Sequence, residues 1–94
     1  MSFLLKDPLA TVDYAVDWRA DYLDDNDNLA SSHWSVEPNE PGGAAVLSER
    51  FTLSETEVTI DGGIAGHRYR LVNIVQTASG RTDRRSIAIR VEAR

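Results

Sequence analysis

Apolar and polar residues alternate at every second position along much of the chain, a pattern typical of half-buried β-strands. In residues 12–18 the even positions are apolar, while two of the odd positions, Asp13 and Asp17, are acidic. The same alternation returns in residues 29–36 and 57–61. Each of these segments is therefore predicted to be a strand with one face turned toward a core.

The last third of the chain carries the clearest pattern. Residues 69–77 are apolar at both parities in their middle, which predicts a central strand of a sheet. Residues 78–80 are Ala-Ser-Gly, a turn of hairpin length. A closing strand is predicted from about residue 82 to residue 92, with Ile87, Ile89 and Val91 on one side.

Turn-forming clusters separate these segments at fairly even spacing, and no segment has a convincing helical period. Residues 21–28 are polar and rich in turn formers, and residues 38–43 contain two prolines and two glycines. The prediction is an all-β protein. We expect one domain over residues 1–94, an immunoglobulin-like or fibronectin-III-like antiparallel β-sandwich of about seven strands, with residues 1–10 as an alternative extended N-terminal arm.

Four residues are candidates for structural roles in this sandwich. Trp18 and Trp34 lie on the apolar faces of their strands and are the expected core anchors, because aromatic side chains bury the largest areas. Gly66 precedes Tyr69 by three residues at the start of the penultimate strand, which is the place of a tyrosine corner. An ordinary strand tyrosine at position 69 is the alternative.

Charge is divided unequally along the chain. Residues 1–61 hold thirteen acidic residues against three basic ones, whereas residues 62–94 hold seven arginines against two acidic residues. The two parts could neutralise each other across strand pairs of one domain, or they could dock onto neighbouring subunits. The overall charge of −5 argues against nucleic acid as a partner. No apolar run approaches the length that spans a bilayer, so we expect no membrane partner.

Motifs that carry chemistry are missing or incomplete. The chain has no cysteine, which excludes disulfides and agrees with folding in a reducing cytoplasm. His33 and His67 lack the spacing of a zinc site, and no Gly-x-Ser-x-Gly sequence is present. Residues 24–28 start like a calcium-binding loop, but Leu29 and Ser35 stand where that loop needs Gly and Glu. We therefore predict no catalytic residue, no cofactor and no metal.

Arg81, Arg84 and Arg85 cluster just after the predicted hairpin turn. They are the candidate protein interface, because arginine is enriched in interfaces and its forked donors fit carboxylates. A charged strand end that faces water is the alternative.

Taken over nearly its full length, the sequence resembles a family of small phage and prophage proteins described as fiber–tail adaptor proteins. The matching stretches are residues 6–8, 13–14, 17–18, 29–32, 61–66, 69 and 77–87. The resemblance implies an Ig-like virion component, made in the bacterial host cytoplasm and present in several copies, with other phage structural proteins as partners. We expect a homo-oligomer that joins tail fibers to the tail. Alternatives are a capsid or tail decoration protein and a small ligand- or carbohydrate-binding module.

Overall fold

Seven β-strands and one short α-helix form the part of the chain that the computed structural model describes, residues 3–24 and 26–93. In chain order they are β1 (Leu4–Lys6), β2 (Val12–Asp17), α1 (Trp18–Asp21), β3 (Leu29–Glu37), β4 (Ala45–Phe51), β5 (Glu55–Asp61), β6 (Arg68–Thr77) and β7 (Thr82–Val91). The predicted all-β class is confirmed.

The strands form two sheets. The first sheet has the strand order β1-β7-β6-β3, and the second has the order β2-β5-β4. Strands β2, β5 and β4 correspond to strands B, E and D of a constant-type immunoglobulin domain, while β3, β6 and β7 correspond to C, F and G. This arrangement confirms the immunoglobulin-like sandwich.

Strand β1 departs from a wholly antiparallel sandwich. It pairs in parallel with the end of β7, with Leu4 opposite Ile89 and Lys6 opposite Val91. The segment considered as an extended N-terminal arm therefore contains a short strand of the first sheet. The Lys6 side chain is 1% exposed, and its Nζ donates to the carbonyl oxygen of Gly62 at 2.6 Å. Burial lowers the pKa of Lys6, although the charge of Asp61 opposes this shift.

The core lies between the sheets and is built from the inward-facing positions of the alternating segments. Trp18 and Trp34 are 0% and 2% exposed, so both indole rings lie inside the sandwich. Their neighbours are mainly aliphatic side chains from both sheets, among them Val16, Leu29, Val58, Ile60, Leu71, Val75, Ile89 and Val91. Burial of this apolar surface is the main stabilising contribution, because the chain has no cysteine to form a disulfide.

A helical turn follows β2 where the sequence predicts one more strand residue. The Asp17 side chain accepts hydrogen bonds from the backbone N–H groups of Arg19 and Ala20, so it caps the first turn of α1. Trp18 belongs to this helix, and its backbone N–H donates to the carbonyl oxygen of Ser54. The chain thus turns at Asp17 while the indole ring still enters the core.

The start of β6 has the geometry of a tyrosine corner. The Tyr69 hydroxyl accepts a hydrogen bond from the backbone N–H of Ile64 at 3.1 Å and donates to Glu40 Oε1 at 2.6 Å. Gly66 lies in the bend between Ile64 and Tyr69 with φ +87°, a conformation that side chains with a Cβ rarely adopt. These contacts fix the loop before β6 against the segment that precedes β4.

Candidate protein interface

The side chains of the three arginines in the predicted interface point to different sides of the first sheet. The Arg81 guanidinium lies 4.4 Å from the centre of the Tyr22 ring and 3.7 Å from Asp24 Oδ2. The Arg85 guanidinium lies 4.8 Å from the centre of the Trp18 ring. Both are therefore engaged with side chains near α1 by cation–π contacts. Arg84 points to the other side of the first sheet, so the three residues do not form one patch.

Arg84 lies on the outer face of the first sheet, directly opposite Ile74 of β6. Residues that pair directly across two strands share a face, so the register of β6 and β7 places further arginines on the same face. Arg68 and Arg90 are opposite each other, and Arg70 is opposite Ala88. We define the basic face by its outward-facing arginines on β6 and β7: Arg68, Arg70, Arg84 and Arg90.

The guanidinium groups of the basic face differ in how they are engaged. Arg68 stacks over the Phe3 ring at 4.8 Å, and Arg90 pairs with Glu92 at 2.7 Å. Within the described part of the chain, Arg70 and Arg84 form no ion pair. A shallow cleft of about 110 Å³ lies between these two arginines, and its lining includes Glu37, Val72 and Ser86. Two arginine side chains therefore remain available to an external carboxylate.

The second sheet carries the opposite charge on its outer face. The outward positions of β2 and β5 alternate with the buried ones, and most of them are carboxylates. Arg50 of the neighbouring strand β4 lies beside these carboxylates; it pairs with Glu57 and lies 3.5 Å from Asp13. We define the acidic face by the carboxylates of these two strands: Asp13, Asp17, Glu55, Glu57 and Asp61.

The charge split of the sequence thus becomes a split between the two outer faces of the sandwich. Strands β6 and β7 pair with each other, whereas β2 and β5 pair in the other sheet. Among the paired residues of the described strands, Glu37 opposite Arg70 is the one acid–base pair that joins the two parts of the chain. The described strands therefore give little of the neutralisation expected across strand pairs, because most carboxylates of the first part lie on β2 and β5, in the sheet that lacks β6 and β7.

One edge of the first sheet is open next to the basic face. Strand β1 pairs with residues 89–91 of β7 and leaves residues 82–88 without a described neighbour on that side. Exposed edges of this kind can accept a strand from another protein. Arg84 lies within this open stretch, so the basic face and the open edge are continuous.

The structure gives little support for a histidine site, a metal site or a calcium site. His67 Nδ1 lies 2.8 Å from Glu40 Oε1, and His33 Nδ1 lies 3.8 Å from Glu49 Oε2, so each histidine faces a glutamate. The described residues contain no group of three or more histidine and carboxylate side chains that could hold a metal ion. In the loop compared with a calcium site, Asp27 accepts from Ser79 instead, and Asp25 lies outside the described residues. No described helix is long and apolar enough to cross a membrane.

Sequence reasoning missed most members of the two faces. Their signal is present, since Arg84 and Arg90 share one parity of the closing strand, and Asp13 and Asp17 share one parity of an early strand. Parity alone does not show which strands are neighbours. The arginines of residues 81–85 are close in sequence, but the faces are formed by pairing between strands.

The chain is thus an immunoglobulin-like sandwich with one acidic and one basic outer face, and such charged surfaces suit contacts with other proteins. The family model of the podophage GP4 fiber-tail adaptor protein gp77 matches residues 6–90, and the chain belongs to this family. Membership supports a structural role connected with the phage tail. Among curated proteins, no match to the chain is found.

Proposed function

We propose that this protein is a virion structural protein that joins tail fibers to the tail and has no enzymatic activity. The observation that carries the proposal is the placement of contact surfaces on opposite sides of one sandwich: the acidic face on one side, and on the other the basic face with the adjoining open edge of β7. An adaptor must contact at least two neighbours at once, and surfaces on opposite sides allow this without steric conflict. Family membership supports the fiber and the tail as these neighbours.

The proposed partners are other phage structural proteins, including further copies of this chain, and neither nucleic acid nor a membrane. Synthesis in the bacterial host cytoplasm followed by incorporation into the virion fits a chain without cysteine. Electrostatic complementarity would contribute specificity and association rate to these contacts more than raw affinity.

The experiment is removal of this chain during phage assembly, followed by electron microscopy of the particles. We expect particles that retain a tail but lack fibers, and we expect the protein supplied in trans to restore them. Cross-linking of intact particles should then connect the chain to both a fiber and a tail protein. Particles that keep their fibers without the chain would contradict the adaptor function; cross-links to the capsid alone would favour a decoration protein.

A further inference from the structure

We propose that the acidic face of one copy docks against the basic face of a second copy, so that the chain assembles head to tail. This inference deepens the proposed function by naming one partner and its surface, but the contact itself does not depend on the adaptor role.

Charge complementarity between the two faces is the first argument. The acidic face has five carboxylates and one guanidinium beside them, Arg50, which is already paired. The basic face has four guanidiniums; on the same side Glu92 pairs with Arg90 and Glu37 lies opposite Arg70, and neither Arg70 nor Arg84 has an ion pair among the described residues. Two surfaces of opposite sign attract when copies meet, while two acidic or two basic faces repel, so the complementary orientation is selected.

The faces cannot satisfy each other within one molecule. The two sheets of a sandwich lie about 10 Å apart, and charged side chains extend outward from both sheets. The charges on opposite faces are therefore farther apart than the Debye length of about 8 Å at physiological ionic strength. Each face remains available to a neighbour, which can approach within contact distance.

Apolar atoms on the basic face supply a second contribution to the contact. Ile74 is 40% exposed and lies opposite Arg84, and Leu5 is 48% exposed and lies opposite Arg90. On the other side, Ala15 is exposed on β2 between Asp13 and Asp17. A contact between the faces would thus bury apolar surface surrounded by charged pairs, which is the usual arrangement of a protein interface.

The contact uses different surfaces on the two copies, so it is heterologous and produces a ring or an open filament. A sheet face of three to four strands and about seven residues covers roughly 300–450 Å² by strand geometry. That is about half of the roughly 800 Å² per partner in a typical stable interface. Assembly should therefore depend on concentration and on salt. The hairpin turns and the backbone groups along the open edge of β7 stay outside the contact, where other virion proteins can reach them.

The test uses two variants of the purified chain that each weaken one face. Arg70→Gln/Arg84→Gln removes the two arginines of the basic face that have no ion pair among the described residues, and Glu55→Gln/Glu57→Gln removes two of the five carboxylates of the acidic face. In sedimentation velocity at about 0.05 M NaCl, we expect the wild type to form oligomers that dissociate at about 0.5 M NaCl. Each variant alone should show a dissociation constant raised about tenfold or more.

Mixing the two variants distinguishes a head-to-tail contact from any other. Each variant keeps one intact face, so an equimolar mixture should form a 1:1 dimer and nothing larger. Asp24→Asn/Asp83→Asn serves as the control, because it removes the same charge as the acidic-face variant but at exposed positions that belong to neither face. This control should still form wild-type oligomers, and thermal melting should show that all variants are folded.

Several outcomes would overturn the inference. A wild type that stays monomeric at low salt would do so, and so would variants that oligomerise like the wild type. A mixture without the 1:1 dimer, beside a wild type that oligomerises, would place the contact elsewhere. Each of these results leaves the adaptor function standing if fibers still depend on the chain in particles, so the two failures are distinguishable.

Discussion

Two buried tyrosines differ in what their hydroxyl groups contact. The Tyr69 hydroxyl bonds to Glu40 and to the backbone N–H of Ile64. Tyr69→Phe removes both bonds and leaves the N–H and the carboxylate without this partner. We expect a loss of about 1–2 kcal/mol in the free energy of unfolding, measured by urea denaturation. The pKa of Glu40, which the Tyr69 and His67 bonds lower, should move back toward its ordinary value.

Tyr14→Phe is the matched control for this prediction. Tyr14 is buried in the same core, but its hydroxyl has no hydrogen-bond partner among the described residues. Removing an unpaired buried hydroxyl is neutral or stabilising, because the folded state no longer includes its desolvation cost. Equal destabilisation by the two substitutions would contradict the prediction, because the loss could not then be assigned to the Tyr69 contacts.

Adjacent arginines of β7 should respond differently to truncation. Arg85→Ala removes a guanidinium that stacks over Trp18, and we expect a loss of about 0.5–1 kcal/mol in stability. Arg84→Ala removes an outward side chain and should change stability by less than about 0.5 kcal/mol. Thermal melts of the two variants, at a salt concentration that keeps the chain monomeric, would check this. A larger loss for Arg84→Ala than for Arg85→Ala would contradict the assignment of their faces.

At the scale of elements, the alternation of the sequence was sufficient for five strands and insufficient for β1 and α1. Strands β2, β3, β5, β6 and β7 coincide with predicted segments, because each has enough residues to show which side is buried. Three residues of β1 show no such period, and their parallel pairing depends on β7, which is distant in sequence. Helix α1 was missed because Trp18 continues the alternation of β2 while Asp17 caps a new turn.

Asp27 connects the loop before β3 to the hairpin between β6 and β7. Its carboxylate accepts from the hydroxyl of Ser79 at 2.7 Å and from the Ser79 backbone N–H at 3.2 Å. Hydrogen bonds from Ser79, chiefly its side chain, and from Thr77 lower the pKa of Asp27 below the ordinary value of 3.8. A lowered folded pKa adds stability above the unfolded value, and this stability is lost as pH falls through the folded pKa.

Asp27→Asn tests this linkage. The variant should be less stable than the wild type at neutral pH, and it should lose less stability on acidification from about pH 5 to about pH 2. Urea unfolding at a series of pH values gives both quantities. Asp24→Asn is the control, because Asp24 is an exposed carboxylate of the same loop whose 3.7 Å ion pair with Arg81 contributes little. Parallel stability–pH curves for wild type and Asp27→Asn would contradict the prediction.

At the scale of the whole molecule, the two sheets are joined by the side chain of Asn73, a contact that the sequence pattern does not predict. Asn73 shares the parity of Tyr69, Leu71 and Val75 on β6, so the alternation places it inward without explaining why a buried position is polar. The charge split is likewise only partly predictable from the sequence. Its existence is visible in the sequence, but its arrangement on two outer faces depends on which strands are neighbours, and strand order is decided by long-range pairing.

Asn73 is 0% exposed and connects elements of both sheets. Its Oδ1 accepts from Trp18 Nε1 at 2.9 Å and from Thr56 Oγ1 at 2.6 Å, and its Nδ2 donates to Ser32 Oγ at 2.9 Å. Asn73→Ala leaves these buried groups without a common partner and opens a small cavity. We expect a loss of about 3 kcal/mol in the free energy of unfolding, measured by urea denaturation.

Thr56→Val separates the loss of one bond from the loss of the whole network. It removes the hydroxyl that donates to Asn73 but keeps the bond from the Trp18 indole, so it should cost about 1 kcal/mol. In the double variant, the Thr56 substitution should cost much less, because its acceptor is already gone. Additive losses, or an Asn73→Ala variant within about 1 kcal/mol of the wild type, would show that apolar packing alone holds the two sheets together.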